Sequence, residues 1–172
     1  MPVQDTGLVA ITRRAAYGDV IGATVIADEV ARQGYNVRLN TLPQIVASKV
    51  FQHHRSITSF GGPDDPCHVN LDDTYERSSL RKTRSAMSLF YEVAVAQLLR
   101  QGIRLRPECN LRPQLRVLPE EVEAARQMMA PFPRPWIAVI PRSNSWPNRT
   151  VPQEVWSSAA HLVDGTMLWT GT

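Results

Sequence analysis

Lysine is nearly missing from this sequence of 172 residues: Lys49 and Lys82 are the only two, so the formal charge of +3 rests on arginine. Arginine's planar fork suits phosphate and carboxylate, but the arginines are scattered rather than gathered in a run, and no nucleic-acid partner is expected. Cysteine is equally sparse, with Cys67 and Cys109 outside any C-x-x-C spacing, and the four histidines form no H-x-x-x-H or H-E-x-x-H pattern. Those absences exclude a disulfide scaffold and a dedicated zinc site. Nowhere do eighteen apolar residues run together, and the opening Met1-Pro2-Val3-Gln4-Asp5-Thr6 has no basic segment leading into an apolar one. A cytoplasmic protein without a membrane-spanning helix or secretory signal is the expectation. Repeats and low-complexity tracts are missing as well. The turn after the first apolar run reads Arg13-Arg14-Ala15-Ala16-Tyr17-Gly18-Asp19, which is not G-x-G-x-x-G, and no G-x-x-x-x-G-K-[ST] occurs. A dinucleotide-dependent enzyme and a P-loop NTPase thus lack their phosphate-binding fingerprints.

What is present is an ordinary folding composition, 43% apolar and 20% charged. Leu8-Val9-Ala10-Ile11-Thr12 reads as a strand buried on both faces, and Val20 to Gln33 as a helix closed by Gly34. Asn36 to Leu42, Ile57 to Phe60 and His68 to Asp72 read as further strands, with a proline-started helix from Pro43 to Phe51 between the first two of these. Alternation of strand and helix predicts a doubly wound parallel sheet. Ser85 to Arg100 is the longest helical segment, with Met87, Leu89, Phe90, Val93, Ala94, Ala96, Gln97 and Leu98 along a mainly apolar stripe. Residues 103–116 carry no period, and Pro119 to Met129 reads as a helix with acidic residues at its amino end. Pro131-Phe132-Pro133-Arg134-Pro135 is a stiff connector, after which the pattern restarts with a strand at Trp136 to Ile140, a helix at Pro152 to Leu162 and a strand at Thr166 to Trp169. This predicts a first domain over 1–130, a linker at 131–135 and the beginning of a second Rossmann-like domain over 136–172.

Two stretches together resemble glycosyltransferase family 9, the heptosyltransferases. The first, Ile11 to Ile21, is similar to the family's strand, polar turn and Gly-Asp-Val opening of the first helix. The second, Ile140 to Trp156, resembles its entry to the second domain, where a hydroxyl-rich loop passes a basic residue and a Trp-Pro pair into a helix. Arg149 stands where the family usually has lysine, Val151 where it has tryptophan, and Pro141-Arg142-Ser143 where it often has Gly-Ala-Ser. The family's later Asp-Thr-Gly and Ser-His segment has no counterpart before Thr172. The resemblance implies an α/β protein of GT-B type that moves a sugar from a nucleoside-diphosphate donor, ADP-linked in the family, to a glycan or lipopolysaccharide-type acceptor. It implies inverting chemistry with neither metal nor cofactor, and acceptors of this kind allow peripheral association with the inner face of the membrane. The alternative is a non-catalytic nucleotide- or glycan-binding module of the same fold.

Such chemistry needs a base for the acceptor hydroxyl and a cationic or dipolar cradle for the leaving diphosphate. By resemblance Asp19 is the base, with Tyr17 and Gly18 in an acceptor-side loop before it; the structural alternative is that Asp19 is an N-cap holding the N–H of Ile21 or Gly22. Ser143, Asn144, Ser145 and Arg149 would face the donor phosphates, against turn and capping roles for the serines and a solvated loop position for the arginine. Trp146 and Trp156 read as packing residues. Asp72-Asp73 lacks D-x-D spacing and reads as a solvated turn, His53-His54 as the carboxyl end of the second helix, and Arg77 to Arg84 either as a solvated connector or as a contact for an anionic acceptor.

Overall fold

The apolar, β-branched run at the start becomes strand β1, Leu8–Thr12, with Val9, Ala10 and Ile11 at most 1% exposed. In the computed structural model, residues 7–14, 16–106, 111–113, 115–139, 151–162 and 164–169 are described. Helix α1, Tyr17–Arg32, follows, and the chain turns out of it at Gly34, whose φ of 92° suits a residue without a Cβ. Next come β2 (Asn36–Asn40), α2 (Pro43–Ala47, with proline in its first turn), β3 (Ser59–Gly61), β4 (Val69–Asn70), the short α3 (Thr74–Arg77) and α4 (Ala86–Leu99). Ser85 caps α4 by accepting the Ser88 N–H at 3.2 Å. The four strands form one sheet in the order β3-β2-β1-β4, every pairing parallel, with Leu8 opposite Asn36 and Ile11 opposite Val69. This is an α/β fold compatible with a Rossmann-like half.

Two groups of side chains hold this unit together. The larger joins Val9 and Ile11 of β1 to Ala23, Ile26 and Val30 of α1 and to Phe90, Ala94 and Leu98 of α4; the smaller gathers Val20, Leu39, Ile45 and Phe51 around α2. At about 1.5–3 kcal/mol for each large apolar side chain, this burial is the main favourable contribution to stability.

The edge of the sheet is closed in a way the periodicity of α4 conceals. Gln97, aligned in sequence with an apolar stripe, donates from Nε2 to the Asn70 carbonyl at 3.1 Å and accepts the Asn70 N–H at 2.8 Å. Gln101 donates to the His68 carbonyl at 2.8 Å, and the His68 ring nitrogen Nδ1 accepts the Ala10 N–H at 3.0 Å. The amides of Gln97 on α4 and of Gln101 just after it thus act as a further strand for β4, whose backbone would otherwise be an open edge. Gln97→Ala should cost about 0.5–1.5 kcal/mol, read as a lower urea midpoint, because it removes two hydrogen bonds to the β4 backbone whose groups water can then solvate.

The chain divides into two compact units, Met1–Val117 and Leu118–Thr172. The second carries α5 (Pro119–Met129), β5 (Trp136–Val139), α6 (Gln153–Ala160) and β6 (Thr166–Trp169), with β5 and β6 parallel and Trp136 opposite Thr166. Glu121 accepts the Leu118 N–H at 2.7 Å at the start of α5. Within this unit the prolines are tied down: the Thr166 hydroxyl donates to the Pro133 carbonyl at 2.7 Å, the Trp136 indole donates to the Phe132 carbonyl at 3.1 Å, and the Arg134 guanidinium lies 4.4 Å from the Trp136 ring centroid.

Candidate functional site

In an open parallel sheet, ligands bind outside the carboxyl ends of the strands. Here β1 delivers Arg13 and Arg14 to that edge, and helix α1 begins three residues later. Tyr17 and Gly18, expected in a loop, are the first two residues of α1, and Asp19 is the third. Asp19 is therefore not the N-cap. Ala16 occupies that position with extended backbone, and its carbonyl accepts the N–H groups of both Asp19 (3.0 Å) and Val20 (3.2 Å). Helical geometry starts before Val20 because Gly18 continues the helical turn instead of taking a positive φ. The Asp19 side chain, 33% exposed, lies with Oδ1 3.6 Å from Nη2 of Arg13. The Tyr17 hydroxyl donates to the Gln44 carbonyl at 3.3 Å, which ties the start of α1 to α2.

Arg13 is the least expected residue of the site. Its side chain is 2% exposed, although it follows the strand as part of a polar stretch. Nη1 donates to the Leu71 carbonyl at 2.9 Å, Nη2 to Oε1 of Glu76 at 2.8 Å, and the guanidinium carbon sits 4.9 Å from the Phe90 ring centroid. Arg14 turns outward: Asp72 accepts its backbone N–H at 2.8 Å and its Nε at 2.5 Å, while Asp64 accepts from Nη1 at 3.0 Å. Asp72 thus pins the residue leaving β1, and Asp73 starts α3 in the left-handed region (φ 59°) and pairs with Arg77 at 2.6 Å. Of the Asp72-Asp73 pair, expected as a solvated turn, Asp72 instead clamps the ends of β1 and β4 together, while Asp73 is an exposed turn residue paired locally with Arg77. Sequence reasoning missed Arg13, Asp72 and Glu76. The available signal was charge complementarity: two arginines directly after a buried strand, and three acids after the strand that pairs with it.

A concave space of about 300 Å³ is lined by Arg13, Arg14, Asp72, Asp73 and Glu76, and a neighbouring one of about 600 Å³ extends to Arg77 and Glu92. On the far side of β1, Asn40 at the end of β2 donates to the Thr12 hydroxyl and to the Asp65 carbonyl, both at 3.2 Å. Gly61 is required there, since a Cβ would lie 2.2 Å from Oδ1 of Asn40. Gly18 is the opposite case: a Cβ would meet nothing within 4 Å, so packing does not call for glycine.

The electrostatics follow from these contacts. Burial pushes the Glu76 carboxyl upward, but the hydrogen bond and charge of Arg13 and its own backbone outweigh that and leave it below its ordinary value of 4.5. Glu29, 1% exposed on α1, is also lowered, chiefly by the hydrogen bond from Arg106, whose Nε and Nη2 lie 2.7 and 2.6 Å from it. The Asp72 hydrogen bond and charge raise Arg14 above its ordinary value. Because Glu29 and Glu76 ionise more readily folded than unfolded, their contribution is full above about pH 4.5 and is lost as the pH falls through their lowered values. The urea midpoint should therefore drop below pH 4.5, and the drop should be shallower in Glu29→Gln than in the wild type.

The remaining expected site residues, Ser143, Asn144, Ser145 and Arg149, lie outside the described residues, as does Trp146. Among the described residues no group of three or more His, Cys, Asp and Glu is placed to hold a metal ion, and no helix is long and apolar enough to cross a membrane. No family model matches the chain, and no curated protein or solved structure shows a significant match to it. What the described site offers chemically is a carboxylate, one-third exposed on the first turn of a helix, in contact with a buried guanidinium; that guanidinium, but not Asp19 itself, lines a cleft walled by carboxylates and arginines. Such a wall presents donors and acceptors in the mixture that a polyhydroxyl compound needs.

Proposed function

We propose that the chain is a glycosyltransferase of GT-B type, related to the heptosyltransferases, that moves a sugar from a nucleoside-diphosphate donor to a glycan or glycolipid acceptor. The observation that carries this reading is Asp19, on the first turn of α1 at the carboxyl end of β1, with its carboxylate partly exposed and 3.6 Å from the Arg13 guanidinium. The acceptor hydroxyl oxygen attacks the anomeric carbon and forms the new C–O bond. The bond from that carbon to the diphosphate oxygen breaks, the electron pair leaves with the diphosphate, and Asp19 takes the hydroxyl proton. Arg13 keeps the carboxylate in place, while Asp72 and Arg14 bind acceptor hydroxyls in the cleft. Gly18 supports the same reading, since a first-turn glycine with open space above it lets a ligand approach the helix end closely. Ser143, Asn144, Ser145 and Arg149 are assigned to the donor phosphates from the resemblance of their loop.

A non-catalytic glycan-binding module is the second reading, favoured by the pairing of Asp19 with Arg13, which gives the carboxylate a structural use. The two separate in a transfer assay. The chain is incubated with ADP-heptose and other nucleoside-diphosphate sugars, a lipopolysaccharide-core acceptor and a chelator, and glycosylated acceptor is sought by mass spectrometry. Product formed in the presence of chelator supports the transferase; acceptor binding without product for any donor supports the module.

A further inference from the structure

At the opposite end of the sheet a second concave space, about 620 Å³, opens between the last turns of α1, the segment entering β3 and the stretch before residue 117. Its polar lining is Asp28, Arg32, His54, Arg55, Ser56 and Arg116. The sequence pattern places His53-His54 at the end of the second helix, but α2 stops at Ala47 and His54 is buried at the floor of this space. The floor is internally bonded: the Ser56 hydroxyl donates to Oδ1 of Asp28 at 2.5 Å, the Ser56 N–H is accepted by Nδ1 of His54 at 3.3 Å, and Nε2 of His54 lies 3.9 Å from Asp28. Arg32 is paired with Glu29 at 3.2 Å. Arg55 and Arg116, by contrast, have no hydrogen bond or ion pair among the described residues, although an acidic side chain stands in the same cavity.

We infer that this cavity binds a phosphorylated sugar or related polyol phosphate. Arg55 and Arg116, both solvent-exposed, line the same concavity, and a phosphate matches the planar fork of an arginine. Asp28, with one oxygen engaged by Ser56, keeps its other oxygen for sugar hydroxyls, and Ala31 and Leu115 supply the apolar wall against which a ring lies. The volume falls in the range of small-molecule sites, about 300–1,000 Å³. The site lies at the amino ends of the strands, away from Asp19, so the inference stands or falls separately from the proposed transferase reaction.

Calorimetry of the full chain with glucose 6-phosphate, inorganic phosphate and glucose tests it. Saturable binding of glucose 6-phosphate is expected, tighter than that of inorganic phosphate, with none for glucose. Arg55→Ala and Arg116→Ala should each weaken it by about ten- to a hundredfold, and Asp28→Asn should weaken glucose 6-phosphate but not inorganic phosphate. A measurement on the wild type guards against unfolded variants: glucose 6-phosphate should protect Arg55 and Arg116 from phenylglyoxal, read by peptide mass spectrometry. Absence of saturable binding, unchanged affinity in either arginine variant, equal affinity for inorganic phosphate, or unprotected arginines would each overturn the inference.

Discussion

Asp19→Asn is expected to slow sugar transfer by on the order of 10²–10⁴-fold while leaving the fold intact, since a positioned general base contributes about that much. The substitution keeps the shape of the side chain and removes only its ability to hold a proton. Its structural cost is small: the contact with Arg13 is 3.6 Å long and is not a hydrogen bond, and Glu76 and the Leu71 carbonyl still hold the guanidinium when the Asp19 charge is removed. Far-UV circular dichroism and the urea midpoint should therefore match the wild type, and the loss should fall on kcat more than on KM. A rate within about threefold of the wild type would leave Asp19 as a structural partner of Arg13 and place the base on another residue.

The second large effect concerns the buried cation behind Asp19. Glu76→Ala should cost about 2–4 kcal/mol, because it strips the Arg13 guanidinium of its closest counter-charge while that group stays 2% exposed. Arg13→Met should cost less, about 1–2 kcal/mol. The carboxylate it leaves on Glu76 is 46% exposed and can be hydrated, and the methionine stem can still pack on Phe90; the main loss is the donor to the Leu71 carbonyl. Exposure alone predicts the opposite order, so urea titrations of the two variants decide between a buried-charge account and one based on side-chain burial.

Much of the fold was legible because its signals are local. β1 ends where the apolar run of Leu8–Thr12 ends, α5 and β6 occupy the residues their patterns mark, and Gly34 terminates α1 by a positive φ that glycine adopts cheaply. Expectations failed where a long-range partner overrides a local pattern. α1 starts three residues before Val20, since the Ala16 carbonyl already accepts helical N–H groups and a polar Tyr17-Gly18-Asp19 start hides that from periodicity. α2 is cut to Pro43–Ala47, which frees His54 for the cavity beside Asp28. β3 and β4 are shorter than their apolar runs, and α3, with the sequence TYER, has no apolar stripe to announce it. At the site, position was legible and partnership was not. A strand followed by Gly-Asp placed Asp19 at the carboxyl end of the sheet, but nothing local says that Arg13 is buried on Phe90, that Asp72 holds Arg14, or that Gln97 serves β4 rather than the core.

The central claim is a single displacement at the anomeric carbon with Asp19 as the one base, and the stereochemistry of the product tests it most directly. With a donor of defined anomeric configuration and the wild-type chain, proton NMR of the newly formed glycosidic linkage should show the opposite configuration. Retention of the donor's configuration would contradict the claim, because a single displacement from the face opposite the leaving diphosphate inverts the anomeric carbon.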